Sequence, residues 1–198
     1  MRRFRVQFLL PIAGLVACSV PTVVGPGDGR DMARPQPGER EWQARVFYGV
    51  PLLQKSFFWD GNGEVDTAGL KLRHLWQVTD RFALGPGLTL QNWFAGGPDM
   101  QSAEVEAVGR FLGQVGDLDV FAEFTGGFLQ ATRAVPIGGT DWNFTFSFGP
   151  GLRIPLDADH ALDLGATWHH VSNALGRDNP RNPSQNEVQM WVGMAFRW

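Results

Sequence analysis

Residues 142–152, WNFTFSFGPGL, place Trp142, Phe144, Phe146 and Phe148 on one side of an extended chain and Asn143, Thr145, Ser147 and Gly149 on the other. Successive side chains of a strand point to opposite faces, so this stretch is a strand with one greasy face and one small or polar face. The chain ends the same way, with Val188, Met190, Val192, Met194, Phe196 and Trp198 set against Gln189, Gly193, Ala195 and Arg197. Period-two alternation recurs in about eight segments from Glu41 onward, and no period of 3.6 persists for long. The 25 glycines and 13 prolines also oppose long helices. Strands are predicted at about 42–50, 66–78, 82–94, 101–112, 117–129, 142–153, 160–171 and 187–198. The connections between them alternate between short and longer ones.

The two faces decide what kind of sheet this is. Lys71, Arg73, Glu104, Glu106, Arg110, Glu123, Arg153, Asp163 and Arg197 all fall in the non-greasy set, with both signs spread over several strands. A sandwich core could not hold them unpaired, whereas a polar barrel lumen could. The opposite set, including Leu70, Leu72, Trp76, Leu88, Leu90, Val105, Phe111, Val120, Phe124, Leu162, Leu164 and Trp168, suits a lipid surround. Only closure satisfies every backbone group in lipid, and short turns alternating with longer loops are the habit of outer-membrane barrels. The terminal Phe196-Arg197-Trp198 resembles the C-terminal signal of that class. The expected fold is therefore all-β: an eight-stranded antiparallel transmembrane β-barrel of the outer membrane, one domain spanning 41–198. With a net charge of −3 and no basic stripe, nucleic-acid binding is disfavoured. About eight strands leave an interior just filled by side chains, which disfavours a channel.

Ahead of the barrel, Arg2, Arg3 and Arg5 precede an apolar run from Val6 to Val16 that is too short to span a bilayer, so residues 1–17 read as a secretory signal. Leu15-Val16-Ala17-Cys18 resembles a bacterial lipobox, and Cys18 is either lipidated or discarded at an ordinary cleavage site. It is the single cysteine, so no intramolecular disulfide forms. Residues 18–40 have the composition of a disordered tether.

If both termini are periplasmic, the seventh strand runs outward. Its parity puts Leu162, Leu164, Ala166, Trp168, His170 and Ser172 on one face, and His169 and Val171 on the other. A polar pair on the lipid-facing surface is costly and asks for a function. The sequence His170-Val171-Ser172-Asn173, followed by Ala174 and later by Glu187, resembles the signature of the outer-membrane lipid A 3-O-deacylases, the PagL family of eight-stranded barrels. Its pattern is His-x-Ser-Asn at the end of the penultimate strand and a glutamate on the last. The resemblance covers about Trp42 to Trp198. It implies hydrolysis of the ester that holds the 3-hydroxyacyl chain at the 3 position of lipid A, with lipid A and the outer leaflet as partners and no cofactor.

The residue types suit that chemistry in their own right. A serine hydroxyl needs a histidine to take its proton, and that histidine needs a carboxylate to hold it in the right tautomer. Ser172 is thus the expected nucleophile, His170 the base and Glu187 the orienting acid. Strict alternation back from Trp198 turns Glu187 into the lumen, so its role requires a bulge between about Asn186 and Gln189; Asp178 in the loop is the rival. The oxyanion donor is expected from the backbone after Ser172, at Asn173 or Ala174, or from the Asn173 side chain, with Asn179 and Asn182 as poorer candidates. Arg177 and Arg181 are candidates to meet lipid A phosphates, against the plainer reading of solvated loop charges. His74 and His160 lack metal-like spacing, so no metal is expected. A second copy of the chain is a candidate partner. The rival class is a non-catalytic structural or adhesion barrel, favoured if no carboxylate reaches His170.

Overall fold

A computed structural model describes residues 35–52, 65–95, 100–176 and 179–198. The signal segment, Cys18 and most of the expected tether lie outside the described residues. Eight strands follow in order: β1 (Arg40–Pro51), β2 (Asp66–Gln77), β3 (Phe82–Phe94), β4 (Met100–Val115), β5 (Leu118–Ala131), β6 (Trp142–Pro155), β7 (His160–Ser172) and β8 (Gln185–Arg197). Each pairs antiparallel with the next, and β1 pairs with β8 from Glu41↔Arg197 to Pro51↔Glu187, closing the barrel. The largest departure from the sequence expectation is the β4–β5 hairpin. The pairing continues past Gly113 through Gln114↔Asp119 and Val115↔Leu118, so the turn is Gly116-Asp117 rather than residues 113–116. Gly116, at φ +60°, supplies the left-handed residue that a two-residue hairpin needs, while Gly113 fits within the strand.

The two faces separate as the alternation requires. Leu72, Trp76, Leu88, Leu90, Val105, Phe111, Phe124, Phe144, Phe146, Phe196 and Trp198 are exposed on the outer surface, whereas Lys71, Arg73, Glu104, Glu106, Arg110, Glu123, Arg153 and Asp163 are buried inside. Burial of so many charges is tolerable only if they are paired and hydrogen-bonded. Glu123 is the hub: its carboxylate accepts from Arg45 (2.6 and 2.8 Å), Arg73 (2.8 Å) and Arg110 (2.7 and 2.8 Å). Arg153 bridges Glu41 (2.7 Å) and Asp163 (2.8 Å) toward the end where β1 begins and β8 finishes. The guanidinium groups also stack on aromatic rings: Arg45 lies 3.9 Å from the Trp191 centroid and Arg110 lies 4.1 Å from that of Phe121.

At the opposite end, beneath the longer connections, the lumen is stoppered by an apolar cluster of Val65, Trp93, Met100, Leu129, Ala131, Val135 and Val171. The indole N–H of fully buried Trp93 donates to Ser102 Oγ at 2.9 Å, which satisfies the one polar atom the ring brings inside. Charge network and stopper both lie within the lumen that a conduit would need.

Since three guanidinium groups donate to the one Glu123 carboxylate, Glu123→Gln is expected to destabilise the barrel by about 3 kcal/mol or more, the usual effect of breaking a buried ion pair from one side. The urea midpoint for loss of the folded electrophoretic form measures this, and an unchanged midpoint would contradict the hub.

Candidate active site

The outer end of β7 is held by its inward-facing residues. Val171 is fully buried in the apolar stopper. His169 is buried in the lumen, its Nδ1 2.9 Å from Glu187 Oε1. With 169 and 171 fixed inside, strand geometry sends His170 and Ser172 outward, on one face and about 6–7 Å apart along the backbone.

His170 sits in the wall between Phe146 of β6 and Asn186 of β8, its partners in register, and Ser172 lies opposite Phe144. The Trp168 ring stacks on the imidazole at 5.7 Å with an interplanar angle of 12°. Although it faces outward, His170 is only 6% exposed and Asn186 is fully buried, so the imidazole is held in a desolvated setting. Its Nδ1 lies 2.7 Å from Asn186 Oδ1. An amide oxygen only accepts, so Nδ1 carries the proton and the basic lone pair is on Nε2.

Glu187 requires a correction. The expected bulge is absent: β7 and β8 pair without interruption from Val171↔Gln185 through His170↔Asn186 and His169↔Glu187 to His160↔Phe196. Regular alternation therefore directs the Glu187 carboxylate into the lumen, beside His169 rather than His170. There it accepts from Thr67 Oγ1 (2.9 Å), Gln185 Nε2 (3.1 Å) and Gln189 Nε2 (2.6 Å). Gly49 of β1 makes the room, since a Cβ at that position would run into Thr67 Oγ1 and the Glu187 carboxylate. The rival Asp178, like Arg177, lies outside the described residues.

Past Ser172 the chain turns sharply. Asn173 Oδ1 accepts from Leu175 N at 3.2 Å, a local turn of the kind asparagine favours, and Ala174 takes the left-handed conformation with φ +59°. The other groups of Asn173 are engaged in holding the loop. Its Nδ2 donates to Arg181 O (2.6 Å) and Thr140 Oγ1 (3.2 Å), and its N–H donates to Asn182 Oδ1 (3.1 Å). Asn182 in turn donates to Gly176 O at 3.1 Å, and Asn179 Oδ1 accepts from Arg181 N at 3.0 Å. Asn173, Asn179 and Asn182 are thus brought together as braces of one loop, with exposed Arg181 on its surface.

Sequence reasoning missed Asn186 and Thr140. Parity did carry the signal for Asn186, which falls in the outward series with Val188 and Met190 at the level of His170. Nothing local marks Thr140, whose partner Asn173 is 33 residues away. Among the described residues no group of three or more His, Cys, Asp or Glu side chains is arranged to hold a metal ion.

A closed eight-stranded barrel with a lipid-facing aliphatic and aromatic surface and a stoppered, charge-filled lumen defines an outer-membrane β-barrel protein, here with a histidine and a serine on its outer wall. The chain belongs to the lipid A 3-O-deacylase (PagL) family, whose model matches residues 51–195. Among solved structures, the fold is similar to the outer membrane enzyme PagL, with 18% identity, a TM-score of 0.55, and coverage of 76% of this chain and 97% of that one. It is also similar to Neisserial surface protein A, with 11% identity, a TM-score of 0.57, and coverage of 81% of this chain and 96% of that one. No curated protein matches the sequence.

Removing the Glu187 carboxylate strands the luminal donors of Thr67, Gln185 and Gln189 together with His169. Glu187→Ala is therefore expected to lower barrel stability by about 1–3 kcal/mol, the usual cost of buried groups left unpaired. The urea midpoint reads this, and a midpoint equal to that of the unsubstituted protein would contradict the luminal assignment.

Proposed function

We propose that this protein is an outer-membrane serine esterase that removes the 3-O-linked 3-hydroxyacyl chain of lipid A, with Ser172 as nucleophile and His170 as base. The observation that carries this is the pair's setting: His170 and Ser172 share the outward face at the outer end of β7, with Nδ1 of His170 tied to Asn186 at 2.7 Å and the lone pair on Nε2. Family membership supplies the substrate class. A lipid substrate reaches such a site sideways through the outer leaflet, which fits a site on the barrel wall rather than in the filled lumen.

In this mechanism Ser172 Oγ attacks the ester carbonyl carbon as Nε2 of His170 takes the hydroxyl proton. The tetrahedral oxyanion needs a donor. With the N–H and Nδ2 of Asn173 engaged in the loop, we assign that role to the backbone N–H of Ala174, in the left-handed turn beside the nucleophile. Collapse breaks the ester C–O bond, and His170 returns the proton to the departing 3-oxygen of the sugar. Water, deprotonated by His170, then cleaves the acyl-serine and releases the 3-hydroxy fatty acid. Arg181, exposed on the loop, is a candidate to meet a lipid A phosphate.

One observation favours the non-catalytic barrel instead: the carboxylate expected at His170, that of Glu187, lies inside with His169. The deacylase reading is preferred because an amide acceptor occupies the same orienting position.

Purified protein in detergent, supplied with 3-O-acylated lipid A, is expected to release 3-hydroxy fatty acid. Ser172→Ala and His170→Asn are each expected to lose at least about a thousandfold in kcat, because nucleophile and base act as one unit. Folding should survive Ser172→Ala, a hydroxyl at a strand end being worth within about 0.5 kcal/mol. Wild-type release by the folded Ser172→Ala protein would exclude the mechanism.

A further inference from the structure

We propose that Asn186 is the positioning residue for His170, so that the third member of the relay is a neutral amide in place of a carboxylate; this rests on the deacylase reading above. Three observations converge on it. Asn186 is directly opposite His170 in the β7–β8 register. It shares the outward parity of Val188 and Met190, and its Oδ1 meets the imidazole Nδ1 at 2.7 Å while the side chain is fully buried. Its backbone is fixed on both sides, by β7 and by the Leu52 N–H that donates to its carbonyl at 2.9 Å. The entropy of holding the acceptor in place is therefore already lost to the sheet.

The neighbouring carboxylate cannot take over this role. Glu187 is tied to His169, Thr67, Gln185 and Gln189 on the other side of the wall. Bringing it to His170 would require a bulge in β8 or a slip by one residue, and the β7–β8 pairing is uninterrupted.

A neutral member also suits the location. Among the described residues, Trp168, which stacks on the imidazole, and Asn186, which meets its Nδ1, carry no charge, while the titratable His169 and Glu187 of the same strand pair lie on the luminal face. A carboxylate on the lipid-facing wall is expensive to desolvate, and an amide is less so. The amide oxygen still fixes the tautomer and ring orientation, which are the two things the base needs before the serine proton moves. What it does not supply is a negative charge to offset the imidazolium that forms. The acid limb of the rate profile, where the base becomes protonated, should therefore respond to the identity of residue 186.

The test uses the full chain folded in detergent, 3-O-acylated lipid A as substrate, and initial rates across pH. Asn186→Ala is expected to lower kcat about tenfold or more with KM within about twofold, the pattern of a group that acts only as charge develops. Asn186→Asp is expected to recover rate at alkaline pH and to move the acid limb upward by about one pH unit, because a carboxylate stabilises the imidazolium and a more alkaline solution is needed to free the base. A purely structural role would not move that limb. Should Asn186→Ala fail to fold, Asn186→Asp still decides through its acid limb. Wild-type kcat in Asn186→Ala, or an acid limb unmoved in Asn186→Asp, overturns the assignment alone. A wild-type protein that releases no acyl chain overturns the deacylase reading and this one with it.

Discussion

The charges sealed inside the barrel fix everything else. A guanidinium or carboxylate that leaves water must meet a partner. Glu123 meets three guanidinium groups from β1, β2 and β4, and Asp163 and Glu41 share Arg153. These contacts tie together strands that are far apart around the barrel. They leave one admissible register, because a slip of one residue would deliver every charge to lipid. The outward set, His170, Ser172 and Asn186 included, is what that register leaves over. The placement of these three residues on the wall is thus set by electrostatics in the lumen.

The interior and exterior of the outer rim share this dependence at close range. His169 and His170 are adjacent in sequence and separated by the thickness of the sheet. The first is bound to Glu187 and the second to Asn186, which are adjacent on β8. Two parallel histidine–acceptor pairs therefore cross the β7–β8 seam, one within the lumen and one on the lipid side. Val171, packed into the apolar stopper, keeps β7 from rotating and so keeps the two pairs distinct.

Much of this was legible in the sequence, because period-two alternation reports burial directly. The charges Lys71, Arg73, Glu104, Glu106, Arg110, Glu123, Arg153 and Asp163 were all assignable to the inside, and the aromatics of β6 and β8 to the outside. Local turn chemistry was less legible: Gly113 and Gly116 both look like breakers, and only the backbone separates the glycine that needs φ +60° from the one that does not. The expected outward turn of Glu187 fails for a different reason. Parity points Glu187 inward, and only the resemblance to a family with a glutamate on the last strand argues for an outward carboxylate. The regular register restores parity and brings forward Asn186, a residue type that composition and motif leave unremarked. Thr140, Asn173 and Asn182 illustrate the remainder, since contacts between separate loops leave no periodic trace.

In the proposed function, the outward His170–Ser172 pair cleaves an acyl ester of the lipid in which the barrel is embedded. Mass spectrometry of lipid A from Gram-negative cells expressing the chain tests it most directly. Deacylation by this pair leaves a lipid A species lighter by one 3-hydroxyacyl chain, lost from the 3 position. Unaltered lipid A in cells whose outer membrane holds the folded barrel would contradict it.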